Sequence, residues 1–522
     1  MAEGNIMKMS FIALVVLLVA FNQPVVAQTP KTGGRIIFAL EADLSTMNPF
    51  VRMLSTDELM RSLMYETLFN FDLKEKIVPA LGESWTISKD GLEYTIKLRQ
   101  GVKFHNGQEV TPDDVKWSVE YAMDPKNGAS GFSLLKPIES ITVVDKSHIR
   151  FKLKEATAPF LSTLASIRGF IVVPKNSLPQ GAKTVSVYPP GTGPFAFKSW
   201  ESGVQTVLIR HKDYWQKGLP YLDEVVFKPI EDATVRLSSL RAGDVQIIER
   251  TPYSFVSKIK NGELGQIKVV DAKNAGFKRI IFNVLQPPFD NRALRLAVAQ
   301  AVDKKQYLQG AFWSFGSPVD QRYPAGSAWF VKMPERARDL AKVKALLKEA
   351  GAGDVETELL GQQGDETEQQ ILQQQLSSAG VKMKIKLMEY SSYVEKQTQR
   401  DWQMIIFGGR MQPDPHLIYG VEYTCAEAEQ AKAKRSTRNL AGYCNKEVDK
   451  LLGEAGRITD PKKRYELYAK VVRQIADDVV EIPLGFYPRF YALSDKVKGF
   501  VPDDTGSING TQFGIIKTWL DR

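Results

Sequence analysis

An eleven-residue apolar run, Phe11 to Phe21, sits behind Lys8 and ahead of Val25-Val26-Ala27-Gln28, and this layout constrains the chain more than any other feature. A positively charged start, a short apolar stretch and small residues before a cleavage point are the parts of an export leader. A bilayer-spanning helix needs about twenty apolar residues, so residues 1–27 are expected to be a signal peptide cleaved near Ala27, not a membrane anchor. No cysteine lies at that point to carry a lipid. The expected product is a soluble periplasmic protein whose 495 residues, 28 to 522, exceed what one hydrophobic core usually organises. At least two lobes follow.

Export also bears on the cysteines. In an oxidising compartment a disulfide between Cys425 and Cys444, nineteen positions apart, is the natural expectation; two separate thiols are the alternative. The net charge of +9, from 69 basic and 60 acidic residues, is spread thinly. Neither a block of like charges nor a basic-aromatic stripe of the kind that tracks nucleic acid occurs, so a nucleic-acid partner is not expected.

Strand and helix periods alternate along the chain. Tyr94, Ile96 and Leu98, and again Ile149, Phe151 and Leu153, have the period of half-buried strands. Between them Thr111-Pro112-Asp113-Asp114 supplies a cap, a proline at the first helical position and acids in the first turn, with Val115, Val119, Ala122 and Met123 on one face. Further helices are predicted from Leu294, Val298, Ala301 and Val302, from Leu340, Val343, Leu346 and Leu347, and after Asp460-Pro461 from Tyr468, Val471, Val472 and Ile475. Apolar stripes of this kind are core, and no chemistry is assigned to them. No internal repeat is present.

Enzyme signatures are missing. The four histidines, His105, His148, His211 and His416, form no HExxH, and there is no CxxC, GxSxG or Walker-type loop. Gly191-Thr192-Gly193-Pro194 is read as a turn, since Pro194 offers no N–H to a phosphate. A spatially convergent carboxylate pair is the one catalytic arrangement that linear spacing leaves open. No catalytic residue, metal ligand or cofactor is expected, and the chain is not read as an enzyme.

The segment PALGESWTISKDGLEYTIKLRQGVKFHNGQEVTPDDVKWSVE, 79 to 120, closely resembles the signature of the family 5 extracellular solute-binding proteins, the dipeptide and oligopeptide group of ABC importers. The resemblance continues through GTGPFAFKSW (191 to 200), the run 211 to 247, FNVLQPPFDNRALRLAVAQAVDKKQYL (282 to 308), YCNKEVDKLL (443 to 452) and EIPLGFYPRFYAL (481 to 493). It implies an α/β fold, the two-lobed periplasmic-binding-protein fold with an extra subdomain, whose hinged lobes close over a ligand. Lobe I would comprise 28–277 plus 488–522, with the subdomain at 66–169, and lobe II 278–487. The implied partners are a peptide or related small solute and the permease subunits of an ABC importer, served by a monomer. A chemosensory binding protein would use the same cleft.

One departure bears on the ligand. Peptide binders of this family carry, on a lobe II strand leading to a proline turn, an aspartate that pairs with the peptide's ammonium group. Here the run is Phe407-Gly408-Gly409-Arg410-Met411-Gln412-Pro413-Asp414-Pro415-His416, with Met411 at that place and no tryptophan before it. A buried ammonium without a charge partner is costly, so a non-peptide ligand, whether an anionic solute, a sugar or a metal chelate, is the alternative. Arg410 either enters the cleft to grip a carboxylate or is an ordinary surface cation. Asp414 either replaces the ammonium partner or caps the following helix; His416 either holds a chelate or is structural. By the same resemblance Phe50, Arg52 and Met53 fall at the lobe I edge of the cleft, and Phe407, Arg410, Met411, Gln412 and Asp414 at the lobe II edge. Met53 and Met411 either floor the pocket or fill core gaps.

Overall fold

The computed structural model describes residues 29–51, 55–182, 185, 188–352, 355–434, 438–504, 507 and 513–522. The leader, Arg52 and Met53 lie outside the described residues.

Two long strands carry the architecture. Ile267–Phe282 and Glu481–Ser494 run antiparallel to each other for most of their length. At one end they continue a sheet through Ile247–Ile248, Arg35–Leu40, Glu224–Pro229, Gln205–Arg210 and Phe195–Glu201. At the other they continue it through Met404–Gly409, Glu356–Gln362 and Lys382–Met388. The buried apolar side chains segregate accordingly. One large cluster draws on Ile36 to Ala275 and again on Tyr491 to Ile515, whereas two others draw only on Phe277 to Phe486. The molecule is therefore two-lobed, with the two long strands passing between the lobes. At the crossing their register breaks between Ala272 and Gly276. A side chain at Gly276 would put its Cβ 2.0 Å from the Tyr487 ring, which is stacked on Phe312; only glycine lets that ring lie against the strand.

The local rules hold where they were strongest. Strands Glu93–Leu98 and His148–Leu153 bury Tyr94, Ile96, Leu98, Ile149, Phe151 and Leu153, and pair inside a four-stranded antiparallel sheet with Gly82–Ile87 and Ile138–Val143. Helix Pro112–Met123 starts on a complete capping box between Thr111 and Asp114 and buries Val115, Val119 and Ala122. Each of the two fully buried valines contributes about 1.5–3 kcal/mol of transfer free energy. Helices Arg292–Ala301 and Pro461–Asp478 likewise begin on Asn291 and Asp460. Leu340 departs from its predicted stripe: it opens helix Leu340–Glu349 directly after the cap Asp339, and is exposed while Val343, Leu346 and Leu347 are buried.

Gly191 and Gly193 serve close packing rather than a turn, since a Cβ at either would fall 2.0 or 2.4 Å from backbone oxygens of Met64 and Leu63. Cys425 and Cys444 are disulfide-bonded, joining the start of helix Cys425–Lys432 to the approach of helix Lys446–Ala455. No helix among the described residues is long and apolar enough to cross a membrane.

Candidate functional site

A cavity of about 720 Å³ opens between the lobes. From the first lobe come Glu58 and Ser62 on helix Ser55–Met64, Tyr65, Glu66, the hairpin residues Asn70 to Lys76, Arg168 and Tyr214. The second lobe contributes Pro324 to Ala328 and the segment Arg410 to Pro413, and the crossing strands contribute Asn274 and Arg489.

The second-lobe wall is held rigid from behind. Tyr323 Oη donates to the Gln412 carbonyl at 2.9 Å, and Trp329 Nε1 to that of Pro413 at 3.0 Å. Arg464 grips both carboxylate oxygens of Asp414 at 2.8 and 2.9 Å, and Asp414 also accepts from the His416 N–H at 2.9 Å. Buried forks of this kind fix geometry as well as charge. The loop is thereby preorganised, which spares a ligand the cost of ordering it.

Charge in the cavity is concentrated around one carboxylate. Arg168 binds Glu58 through Nε at 3.0 Å and Nη2 at 2.7 Å, and Arg410 approaches it across the cleft at 3.5 Å. Burial pushes the Glu58 carboxyl up, but the guanidiniums of Arg168, Arg410 and Arg61 outweigh it and hold it below its usual value. Behind this group Arg61 is buried, and burial lowers it to about 10 despite Glu58.

Arg489 is different. It lies on the crossing strand opposite Ala272, is half-buried, and has no carboxylate within ion-pair distance among the described residues. Tyr491 bonds to it and Glu249 acts on it only through the field; together they overcome burial and keep the guanidinium firmly charged. Acidic groups also line the cavity. Glu75 is pushed up to about 7 by burial, with Asp503 and Asp504 adding to the effect. Glu66 also reaches about 7 through burial, against the donors Trp215 Nε1 and Tyr214 Oη at 3.0 and 2.9 Å.

The residues expected from sequence divide. Arg410, Met411 and Gln412 line the cavity, and Arg410 turns inward. Phe50, Phe407 and Asp414 do not. Phe50 is 2 % exposed and packs on Tyr121 at 5.0 Å. Phe407 lies against the second-lobe core beneath Arg279, and Asp414 is consumed by Arg464 and the helix start, leaving nothing for an ammonium group. His416 bonds Tyr468 Oη through Nδ1 at 2.9 Å, away from the cavity. No group of three or more His, Cys, Asp or Glu side chains that could hold a metal occurs among the described residues. Sequence reasoning missed Glu58, Glu75, Arg168 and Arg489. Only Arg489 carried a signal: it is the one charge after Glu481 in a fourteen-residue apolar strand, and a charge in such a setting is seldom idle.

Two lobes joined by crossing strands, with a preorganised polar cavity between them, define a solute-binding protein of the hinged periplasmic type. Residues 76–428 match the family model for bacterial extracellular solute-binding proteins, family 5 Middle. The chain is 30% identical over 490 residues to the glutathione-binding protein GsiB of Salmonella typhimurium, covering 90% of this chain and 93% of the relative. It also matches the ABC transporter-associated periplasmic binding protein DppA from Helicobacter pylori, solved with the peptide STSA, with a TM-score of 0.78 and 26% identity over 94% of this chain and 99% of that one. AgaA from A. tumefaciens R10, solved with agropinic acid, gives the same TM-score, identity and 94% and 99% coverage. This chain belongs to the family 5 extracellular solute-binding proteins, and is the solute-binding component of an ABC importer.

Proposed function

We propose that the protein captures a small carboxylate-bearing, peptide-like solute in the periplasm and passes it to its permease without chemical change. Lobes 28–277 plus 488–522 and 278–487 close over the ligand. The observation that carries this reading is Arg489, a charged guanidinium on the cavity wall with no carboxylate of its own among the described residues. A solute carboxylate supplies the missing partner through two parallel N–H···O bonds. Arg168 and Arg410 add positive field beside it, and Glu75 with Asp503 and Asp504 offers acceptors to an amine on the same solute. Met411, buried in the wall, removes the acidic anchor used by ordinary peptide binders of the family, which favours ligands recognised through their carboxylates. The relatives that bind glutathione and agropinic acid fit that pattern.

Isothermal titration of the mature chain against glutathione, agropinic acid, a neutral dipeptide, its C-terminal amide and a sugar tests the reading. Carboxylate ligands should bind and the amide should lose most of its affinity. Equal affinity for the dipeptide and its amide would refute it.

A further inference from the structure

The Asp-Pro-His turn, which does not line the cavity, leads away from it to the rim where the lobes meet. Arg464, besides holding Asp414, donates Nε to the carbonyl of Ala455 at 3.0 Å. The His416 ring lies between two glycines, and a Cβ at Gly420 or Gly456 would come within 2.5 or 2.6 Å of its Cε1. The wall of the cavity and the turn ending helix Lys446–Ala455 are thus packed as one piece. That turn touches the other lobe. Gly456 O accepts the Ala158 N–H at 2.8 Å, and Arg457 donates Nε and Nη2 to Glu155 Oε2 at 3.1 and 2.8 Å.

We propose that the Glu155–Arg457 pair and the Ala158–Gly456 hydrogen bond form a closure latch, tied through Arg464 to the cavity wall at Asp414. The latch stabilises the closed arrangement through contacts that touch no solute. Ligand-free protein therefore samples the closed form, and a solute meeting it pays less to close the lobes. Arg457 and Glu155 are well exposed, so the effect is modest, in the range of surface ion pairs. Coupling to the wall has a rigid carrier, because Arg464 and Asp414 are both buried.

Spin labels at K146C and K470C, exposed positions on the two lobes, report lobe separation by pulsed dipolar spectroscopy of ligand-free protein. The native disulfide leaves no other free thiol among the described residues. The ratio of closed to open distances should fall about two- to fivefold in R457A, and return in the charge-swapped E155R/R457E, with the thermal midpoint unchanged. R464K, which keeps the charge but loses the fork, should also lower the ratio with both rim residues intact. An open distance alone in the wild type, an unchanged ratio in R457A, or a swap that restores nothing overturns the latch. An unchanged ratio in R464K overturns its tie to the wall.

Discussion

Replacing Arg489 by methionine removes the charge and the fork while keeping most of the side-chain volume on the crossing strand. Hydrogen bonds to charged groups contribute about 1.5–3 kcal/mol each in mutational series. Arg489 is only half-buried, so screening places the loss near the low end, about 2 kcal/mol or roughly thirtyfold in Kd. Lysine keeps the charge but not the planar pair of donors, and R489K should fall between, about fivefold weaker than wild type. Isothermal titration with glutathione and with its diethyl ester separates the carboxylate contribution, because the ester has nothing for Arg489 to grip and its affinity should be the same in all three proteins. R489M binding glutathione within threefold of wild type, or losing ester affinity in step, would show that Arg489 acts on the hinge alone. The assignment of the carboxylate subsite would then be wrong.

Glu58 competes with a solute carboxylate for Arg168 and Arg410, so E58Q should tighten glutathione binding by a few-fold, read by the same titration; weaker binding would mean the cross-cleft pair with Arg410 matters more for closure. Protonating Glu75 removes a negative charge from the cavity, and its carboxyl titrates at about 7. Because that charge faces the solute's amine, affinity for glutathione should fall about threefold to fivefold as pH falls from 8 to 6, on the order of 1 kcal/mol for a unit charge near the ligand, and E75Q should keep only the part that Glu66 supplies. The same upward shift stabilises the fold below the unfolded carboxyl range and is lost as pH rises through about 7, so E75Q should flatten the fall in thermal midpoint over that window. Serine at both Cys425 and Cys444 opens a loop of nineteen residues and should cost about 3 kcal/mol in urea unfolding, with ligand affinity unchanged because neither sulfur lines the cavity.

What the sequence disclosed and what it hid have one physical origin. Periodicity and caps act within a few residues, so the helix behind Thr111 and the strands at Tyr94 and Ile149 could be placed in advance. The run from Arg410 to Gln412 was legible because the family resemblance fixed its place on a wall. Asp414 misled for a reason that local reading cannot reach: its partner Arg464 stands fifty residues on, and a carboxylate near a pocket looks available until that partner is known. Phe50 misled in the same way, through Tyr121. Glu58, Arg168 and Arg489 converge from a helix, a loop and the return strand, at sequence separations of 110 residues and more, and no spacing rule joins them. Yet the fold explains why the charges gather there. The two long strands bury most of their positions in the cores, and where they pass between the lobes Asn274 and Arg489 line the cavity. A charge on a strand that passes between the lobes is placed where a solute bridging them can meet it, and only contacts that differ between open and closed forms can drive closure.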